Sequence, residues 1–169
     1  MTPMGWEIER RFLVHVGPRS WPPRSQGRHL RQGYVRHGDP SVRIRTGEAR
    51  GPVLTCKRGK GVRRAEVEMV VTDEIAAALF DAAGDHVVEK VRFPVGAWTL
   101  DRFLGDLDGL ALMEIELEDE SDELPEPPRG VDVLREVTDD KRFVSGRLAS
   151  LEPKERRKLV RKAYEEVET

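Results

Sequence analysis

The sequence predicts an α+β protein built around a closed, eight-stranded antiparallel β-barrel, with covering helices and a C-terminal helix. Two observations point to this fold class. Polar and apolar side chains alternate with period two through most of the chain up to Glu118, which is the pattern of β-strands. Helical spacing of apolar residues dominates only near the C-terminus. Closing the strands into a barrel leaves no open sheet edge.

Glycine and proline residues divide the alternating region into eight predicted strands. The predicted strands span residues 7–14, 30–36, 41–46, 53–58, 62–71, 86–95, 97–104 and 110–118. One helix interrupts the series. It begins after Thr72, a helix-capping residue type that acidic residues follow, and ends at Ala83, just before Gly84.

The C-terminal part of the chain predicts a different arrangement. Residues 119–128 are acidic and contain proline, which favours a surface loop, and two short helical pieces are expected within residues 134–151. Pro153 opens a final helix over residues 153–169, because proline suits the first helical position. We expect one domain over residues 1–169, with a core over 6–150, since 169 residues suit a single domain.

Composition excludes several classes of protein. A net charge of −2, with 36% charged residues, is unlike that of a uniformly basic nucleic-acid binder. No segment approaches the roughly 20 apolar residues that a membrane-spanning helix needs. The single cysteine, Cys56, cannot form an intrachain disulfide and favours a reducing cytoplasm. Because it falls on the apolar face of its strand, Cys56 is expected in the core.

The charged residues share one face of each strand. In the first strand Glu7, Glu9 and Arg11 lie on one face, and Ile8 and Phe12 lie on the other. The same alternation sets apart Arg43 and Arg45; Lys57; Arg64, Glu66 and Glu68; Lys90 and Arg92; and Glu114, Glu116 and Glu118. One interpretation is an ordinary solvated face. The other places the charges inside the barrel, with the apolar faces outward under the helices.

The second interpretation implies a ligand. Buried charges are costly unless they are paired or bound to something. Clustered arginine and lysine side chains match phosphate oxygens, and clustered glutamates match a hard cation such as Mg²⁺ or Mn²⁺. The pattern therefore favours a site for a polyphosphate with a divalent metal.

Several motifs resemble one known family. Glu7-Ile8-Glu9-Arg10-Arg11 resembles the N-terminal Glu-x-Glu-x-Lys signature of the CYTH superfamily, the triphosphate tunnel metalloenzymes. Further segments resemble the family's later strands in the expected order, and the match covers roughly residues 6–150. These segments are Gln32-Gly33-Tyr34, Val42 to Arg45, Leu54 to Lys57, Arg64 to Glu68, Lys90 to Arg92, Trp98 to Phe103, Gly109-Leu110, Met113 to Glu118 and Glu136 to Phe143.

The resemblance implies an eight-stranded tunnel whose charged side chains point inward. It also implies an activity, since the family includes inorganic, thiamine and RNA triphosphatases and class IV adenylate cyclases, all acting on a triphosphate with a divalent metal. Hydrolysis of inorganic triphosphate or a simple organic or nucleoside triphosphate, with Mg²⁺ or Mn²⁺, is the leading expectation. The alternatives are a class IV type cyclase, a non-hydrolytic triphosphate-, polyphosphate- or nucleotide-binding module, and an interaction protein with solvent-exposed charges.

The resemblance also implies roles for individual residues. The expected catalytic residues are Glu7, Glu9, Arg11, Glu114 and Glu116. The expected metal ligands are Glu7, Glu9 and Glu116, joined by Glu114 and Glu118, with Glu66, Glu68, Asp101 and Asp139 balancing charge or holding a second metal. The expected substrate-binding residues are Arg11, Arg43, Arg45, Lys57, Arg64, Lys90, Arg92 and Lys141.

One position departs from the family pattern. Arg11 replaces the lysine of the signature, and the two side chains are not interchangeable where a compact ammonium must fit, so we expect an effect on rate or substrate preference. The expected partner is a small triphosphate-containing molecule, without a membrane or a stable nucleic-acid partner. The C-terminal helix either closes one end of the tunnel, covers strand faces or mediates contact in a homodimer.

Overall fold

Eight antiparallel strands close into a barrel, which confirms the predicted fold. The computed structural model describes residues 5–59 and 62–167. The strands are β1 (Gly5–Val16), β2 (Arg28–Arg36), β3 (Ser41–Thr46), β4 (Val53–Arg58), β5 (Arg63–Val70), β6 (Val87–Val95), β7 (Trp98–Phe103), β8 (Ala111–Leu117) and β9 (Val131–Glu136). The ring runs β1-β5-β4-β3-β2-β6-β7-β8 and returns to β1. The ninth strand lies outside this ring.

The long strand β1 closes the barrel. One of its edges pairs with β8 from Ile8 to Leu13. Its other edge pairs with β5 over four residues, from Gly5 to Ile8, and then with β9 from Phe12 onward. The strand β9 therefore covers the part of the β1 edge that β5 does not reach. The sequence predicted helix near Leu134, and this was wrong because Leu134 lies within β9.

The helices follow the prediction in most places. The helix α1 spans Asp73–Ala83, and the Oγ1 of Thr72 accepts a hydrogen bond from the backbone N–H of Ile75, which confirms the predicted cap. A short 3₁₀ turn at Lys141–Phe143 precedes α2 (Ser145–Ser150). The last helix, α3, spans Pro153–Glu165, and the final predicted helical residues, 168–169, lie outside the described residues.

The barrel interior is divided into a charged half and an apolar half. Interior side chains of Leu13, Tyr34 and Phe103 pack with Phe143 and Leu148, which come from the C-terminal segment. Residues of α3 pack against the same cluster. The C-terminal segment thus closes one end of the barrel, and the charged cavity occupies the other half.

Loops as well as helices cover the outer apolar faces. The helix α1 packs Phe80 and Leu79 against Ile44 of β3. Elsewhere Trp21 and Leu124, both from loops, pack against the outer faces of the strands. The predicted helical cover is therefore present, and loops cover part of the outer faces as well.

The prediction that Cys56 lies in the core was also wrong, because it is exposed on the outer face of β4. Met69, which lies on the neighbouring strand β5, is 41% exposed as well. Among the described helices, none has the length and apolar character needed to cross a membrane.

The hydroxyl of Tyr164 fastens α3 to the barrel. It accepts a hydrogen bond from the Ala111 backbone N–H and donates one to the Val14 carbonyl oxygen, each at 3.0 Å. Burial raises the pKa of Tyr164, although the bond from Ala111 opposes this rise. The hydroxyl therefore satisfies one backbone group on each of two barrel strands.

We expect Tyr164→Phe to destabilise the protein by about 1–3 kcal/mol, because both backbone groups would lose their partner. Arg161→Ala, an exposed position on the same helix, is the control and should change stability by less than about 0.5 kcal/mol. Urea unfolding measures both. Equal stability of Tyr164→Phe and the wild type would contradict the docking of α3 described above.

Candidate active site

A cavity of about 790 Å³ lies in the charged half of the barrel. Among the described residues, six acidic and six basic side chains line it. They are Glu7, Glu9, Glu66, Glu68, Glu114 and Glu116, and Arg11, Arg43, Arg45, Lys57, Lys90 and Arg92. The strand period places them there, because alternate residues of every strand point inward. The interpretation with charges inside the barrel is therefore the right one.

Strand register sets acids against bases in part of the cavity. Arg11 lies opposite Glu114, and Lys57 lies opposite Glu66. By contrast, Glu9 on β1 and Glu116 on β8 lie directly opposite each other. Like charges at opposed positions destabilise a sheet. A cation between β1 and β8 would remove this repulsion.

The carboxyl groups near Glu7 are crowded together. Lys57 donates hydrogen bonds to Glu7 and forms an ion pair with Glu66, with Nζ–O distances of 2.8 and 2.9 Å. Burial and a hydrogen bond to Glu7 raise the pKa of Glu66 to about 8. A hydrogen bond to Glu7, together with burial, raises the pKa of Glu116. Burial of Glu7 is outweighed by its hydrogen bonds with Glu66 and Glu116 and by Lys57, so the pKa of Glu7 falls to about 2.

Such carboxyl groups fit a divalent cation. Their carboxylate oxygens are the ligands that a hard metal ion prefers. In the described residues, however, no set of three or more aspartate, glutamate, histidine or cysteine side chains is already arranged around a common metal position. Binding of a metal would require Glu7 to leave Lys57, whereas Glu9, which Arg11 holds through Oε1, could bind the metal through Oε2. The donor chemistry fits, and the side chains would have to rearrange.

A second group of charges is built on Asp101, which is fully buried. Lys90 Nζ lies 2.5 Å from its Oδ2, and Arg92 donates to both of its oxygens at 2.8 Å. Arg92 also donates to Glu114, at 3.2 Å. Burial and the neighbouring Arg92 lower the pKa of Lys90 to about 8, although Asp101 opposes this shift. Asp101 does not line the cavity. Its carboxylate is the counter-charge that holds Lys90 and Arg92 toward the cavity, which both of them line.

Hydrogen-bond donors without partners lie on the wall formed by β2 and β3, across the barrel from β1 and β8. The Nε atoms of Arg43 and Arg45 on β3, and the Nε2 of Gln32 on β2, are buried without a hydrogen-bond partner. Gln32 is fully buried and lies opposite Arg45. Buried donors without partners are rare in folded proteins and call for an explanation such as a bound ion. An anion in the cavity would accept from Arg43 and Arg45, whereas Gln32 does not line the cavity and accepts a hydrogen bond from Arg43 Nη1 at 3.4 Å. No sequence pattern indicated Gln32 as part of this wall.

The remaining predicted residues lie elsewhere. Arg64, Asp139 and Lys141 line a second cavity of about 660 Å³, which shares Arg11, Arg43, Lys57 and Ser145 with the first. Glu118 is exposed beyond the end of β8 and lines neither cavity. Glu68 lines the first cavity and pairs with Arg45 and Arg50, while Glu48 also pairs with Arg45.

Comparison with known proteins identifies the family. The chain is 32% identical over 151 residues to a protein named inorganic triphosphatase from Acetivibrio thermocellus, covering 86% of this chain and 94% of that protein. This chain belongs to the inorganic triphosphatase family. That is the triphosphate tunnel group that its motifs resemble, although no family model matches the chain.

Solved structures agree with this assignment. The fold matches the crystal structure of the inorganic triphosphatase NE1496, with a TM-score of 0.58 and 30% identity, over 87% of this chain and 96% of that one. A second structure of NE1496, described as a hypothetical protein, matches with a TM-score of 0.60 and 29% identity, over 87% and 99% of the two chains. Both matches span nearly the whole of the related chain.

The crowded carboxyl groups predict an unusual stability effect in metal-free protein. The pKa of Glu66 in the folded protein is raised to about 8. The free energy of unfolding therefore falls as the pH rises from the pKa that Glu66 has in the unfolded chain toward 8. At pH 8.5 with EDTA, Glu66→Gln should raise the melting temperature, by about 2–4 °C for each kcal/mol of repulsion removed. Added Mn²⁺ should stabilise the wild type more than this variant.

Glu68→Gln, two residues along the same strand, is the matched control. Burial of Glu68 is outweighed by hydrogen bonds from Arg50 and Glu66 and by Arg45, so its pKa is lowered. Removing that charge should lower the melting temperature under the same conditions. If both variants shifted it in the same direction, the crowding around Glu7 would be disproved.

Proposed function

We propose that this protein is an inorganic triphosphatase, which hydrolyses a linear triphosphate inside its barrel and requires Mg²⁺ or Mn²⁺. One observation carries the proposal: a crowded set of carboxyl groups faces a wall of guanidinium groups with unpartnered donors across one cavity. The donors suit phosphate oxygens, and the carboxyl groups suit a hard cation. Such a pairing of sites is what phosphoryl transfer requires.

The residues of the cavity divide into two roles. Arg43 and Arg45 would bind the phosphate chain, with Gln32 bonded to Arg43, and with Lys90 and Arg92 held toward the chain by Asp101. Glu7, Glu9 and Glu116 would hold the metal, which would supply charge neutralisation and favour attack by water. Water then adds to the terminal phosphorus, the bridging P–O bond breaks, orthophosphate and pyrophosphate leave, and a proton of the water passes to solvent. No protein nucleophile is needed, because positioning and charge stabilisation suffice.

Hydrolysis fits the cavity better than cyclisation of a nucleotide. A cyclase must hold a nucleobase and a ribose next to the phosphates. Among the described lining residues the only aromatic side chain is Trp6, which is 66% exposed at the cavity mouth. The far end of the barrel is filled by apolar side chains of the closing segment. This favours a substrate that consists mainly of phosphate.

The wider setting of the protein is part of the same proposal. We place the enzyme in the cytoplasm, since its single cysteine is consistent with a reducing compartment. Its partner would be the small-molecule substrate, without a stable nucleic-acid partner, and residues 1–169 would act as one domain. A homodimer is left open.

The activity has a direct assay. The purified protein is incubated with inorganic triphosphate, ATP, GTP and thiamine triphosphate, with Mg²⁺, Mn²⁺ or EDTA, and the products are resolved. We expect metal-dependent release of orthophosphate from inorganic triphosphate, with EDTA abolishing it. Cyclic nucleotide with pyrophosphate, or binding without turnover, would contradict the proposal.

Two substitutions separate the proposed roles within that assay. Glu9→Gln should lower kcat by about 10²–10³, the scale found for loss of one electrostatic group at a reacting centre. Arg43→Ala should weaken triphosphate binding by more than about 1.5 kcal/mol, the low end for a charged hydrogen bond. Full activity of Glu9→Gln would remove Glu9 from the metal site, and unchanged affinity would remove Arg43 from the phosphate site.

A further inference from the structure

The guanidinium group of Arg11 is bound by the protein in three directions. Its Nε donates to Glu114 Oε1 at 2.7 Å, and its Nη2 donates to Glu9 Oε1 at 2.9 Å. Its Nη1 donates to the carbonyl oxygen of Phe143 at 3.1 Å. The residue is only 6% exposed. Each of the three nitrogen atoms therefore has a protein acceptor.

The backbone of Arg11 binds the same C-terminal segment. Its N–H donates to Thr138 Oγ1 at 3.0 Å, and its carbonyl oxygen accepts from the Val137 N–H at 2.8 Å. Phe143 belongs to the apolar cluster that closes the barrel. Arg11 thus joins three parts of the molecule, namely the carboxylate of its own strand, the carboxylate of β8 and the segment over residues 137–143.

Arg11 differs from Arg43, which lies on β3 across the barrel, in how many of its nitrogen atoms have protein acceptors. The Nε of Arg43 has no partner, and in the described residues Arg43 forms no ion pair with a carboxylate. The charge of Arg11 is already compensated by Glu9 and Glu114. Contact with a phosphate would compete with these two carboxylates, whereas Arg43 could bind a phosphate without losing any ion pair.

We propose that Arg11 is a positioning residue, which orients Glu9 and Glu114 and couples them to the closing segment, and does not serve as a phosphate ligand. This inference rests on the proposed function, because Glu9 matters only if it holds a metal. A planar guanidinium presents donors on three separate nitrogen atoms, whereas a lysine ammonium is a point charge. Lysine at this position would lose the simultaneous grip on both carboxylates and the Phe143 carbonyl.

The test uses Arg11→Lys, which keeps the charge and restores the residue of the family signature. Groups that orient metal ligands typically contribute 10–100-fold to metal affinity. We therefore expect Arg11→Lys to weaken Mn²⁺ binding by about tenfold or more, measured by electron paramagnetic resonance without substrate. Amide hydrogen exchange over residues 137–148 should become faster. At saturating metal, the KM for triphosphate should change by less than about threefold.

Two further variants complete the design. Arg43→Ala is the control for a phosphate ligand: Mn²⁺ affinity without substrate should stay within about twofold, while triphosphate affinity falls by about tenfold. Thr138→Val removes the acceptor of the Arg11 N–H without changing any charge, and should weaken Mn²⁺ binding in the same direction as Arg11→Lys. It provides the answer if Arg11→Lys does not fold.

The outcomes separate this inference from the proposed function. Unchanged Mn²⁺ affinity in Arg11→Lys, or in Thr138→Val if the former is unfolded, would overturn the positioning role and leave the triphosphatase intact. A rise in the KM for triphosphate without loss of Mn²⁺ affinity would likewise overturn it and make Arg11 a phosphate ligand. Failure of the wild type to bind Mn²⁺ would overturn the metal site itself, and this inference with it.

Discussion

Buried charge governs how this barrel is built. A barrel interior that holds carboxylates and cations together removes them from water, and such groups are stable only when each has a partner of opposite charge. Strand register supplies some of those partners, as in the pairs Arg11–Glu114 and Lys57–Glu66. The places where partners are missing are the informative ones. Glu9 faces Glu116, and Arg43 and Arg45 keep unpartnered donors. A metal would compensate the two carboxylates, and a polyphosphate would accept hydrogen bonds from the two arginines.

The apolar half of the interior is connected to the charged half through the C-terminal segment. Phe143 and Leu148 pack with apolar interior side chains at the far end of the barrel, beside the second cavity that adjoins the charged one. The same segment supplies the Phe143 carbonyl that binds Arg11. The C-terminal segment that closes the barrel therefore also contacts the residue that holds the carboxylates. A change in this segment should alter the orientation of Glu9 through Arg11.

Most of the barrel could be predicted from the sequence because strand parity is local information. The bounds of β3 and β4 were predicted to the residue, and the inward direction of Glu7, Arg43 and Lys90 followed from the same alternation. The strand β9 was missed because its formation depends on the free edge of β1, which no local pattern reveals. Cys56 was misplaced for a related reason, since parity gives the face of a strand but not what covers it.

The site itself was predictable only in part. Charged residues in an alternating strand can be recognised from the sequence. Gln32 is a neutral amide, and only the structure shows that it contacts Arg43 and lies opposite Arg45. Arg64 and Lys141 were assigned to the substrate, and Asp139 to charge balance or a second metal, but all three line the adjoining cavity. The bond between Arg11 and Phe143 joins residues far apart in sequence, so the signature alone pointed to a phosphate contact.

The decisive measurement is a crystal structure with Mn²⁺ and a slowly hydrolysed triphosphate analogue. We expect an anomalous peak bound by Glu7, Glu9 and Glu116, with Lys57 displaced from Glu7, and phosphate oxygens in contact with Arg43 and Arg45. A triphosphate bound outside the barrel, or a Glu7 carboxylate still paired with Lys57 and without metal, would contradict the proposed site.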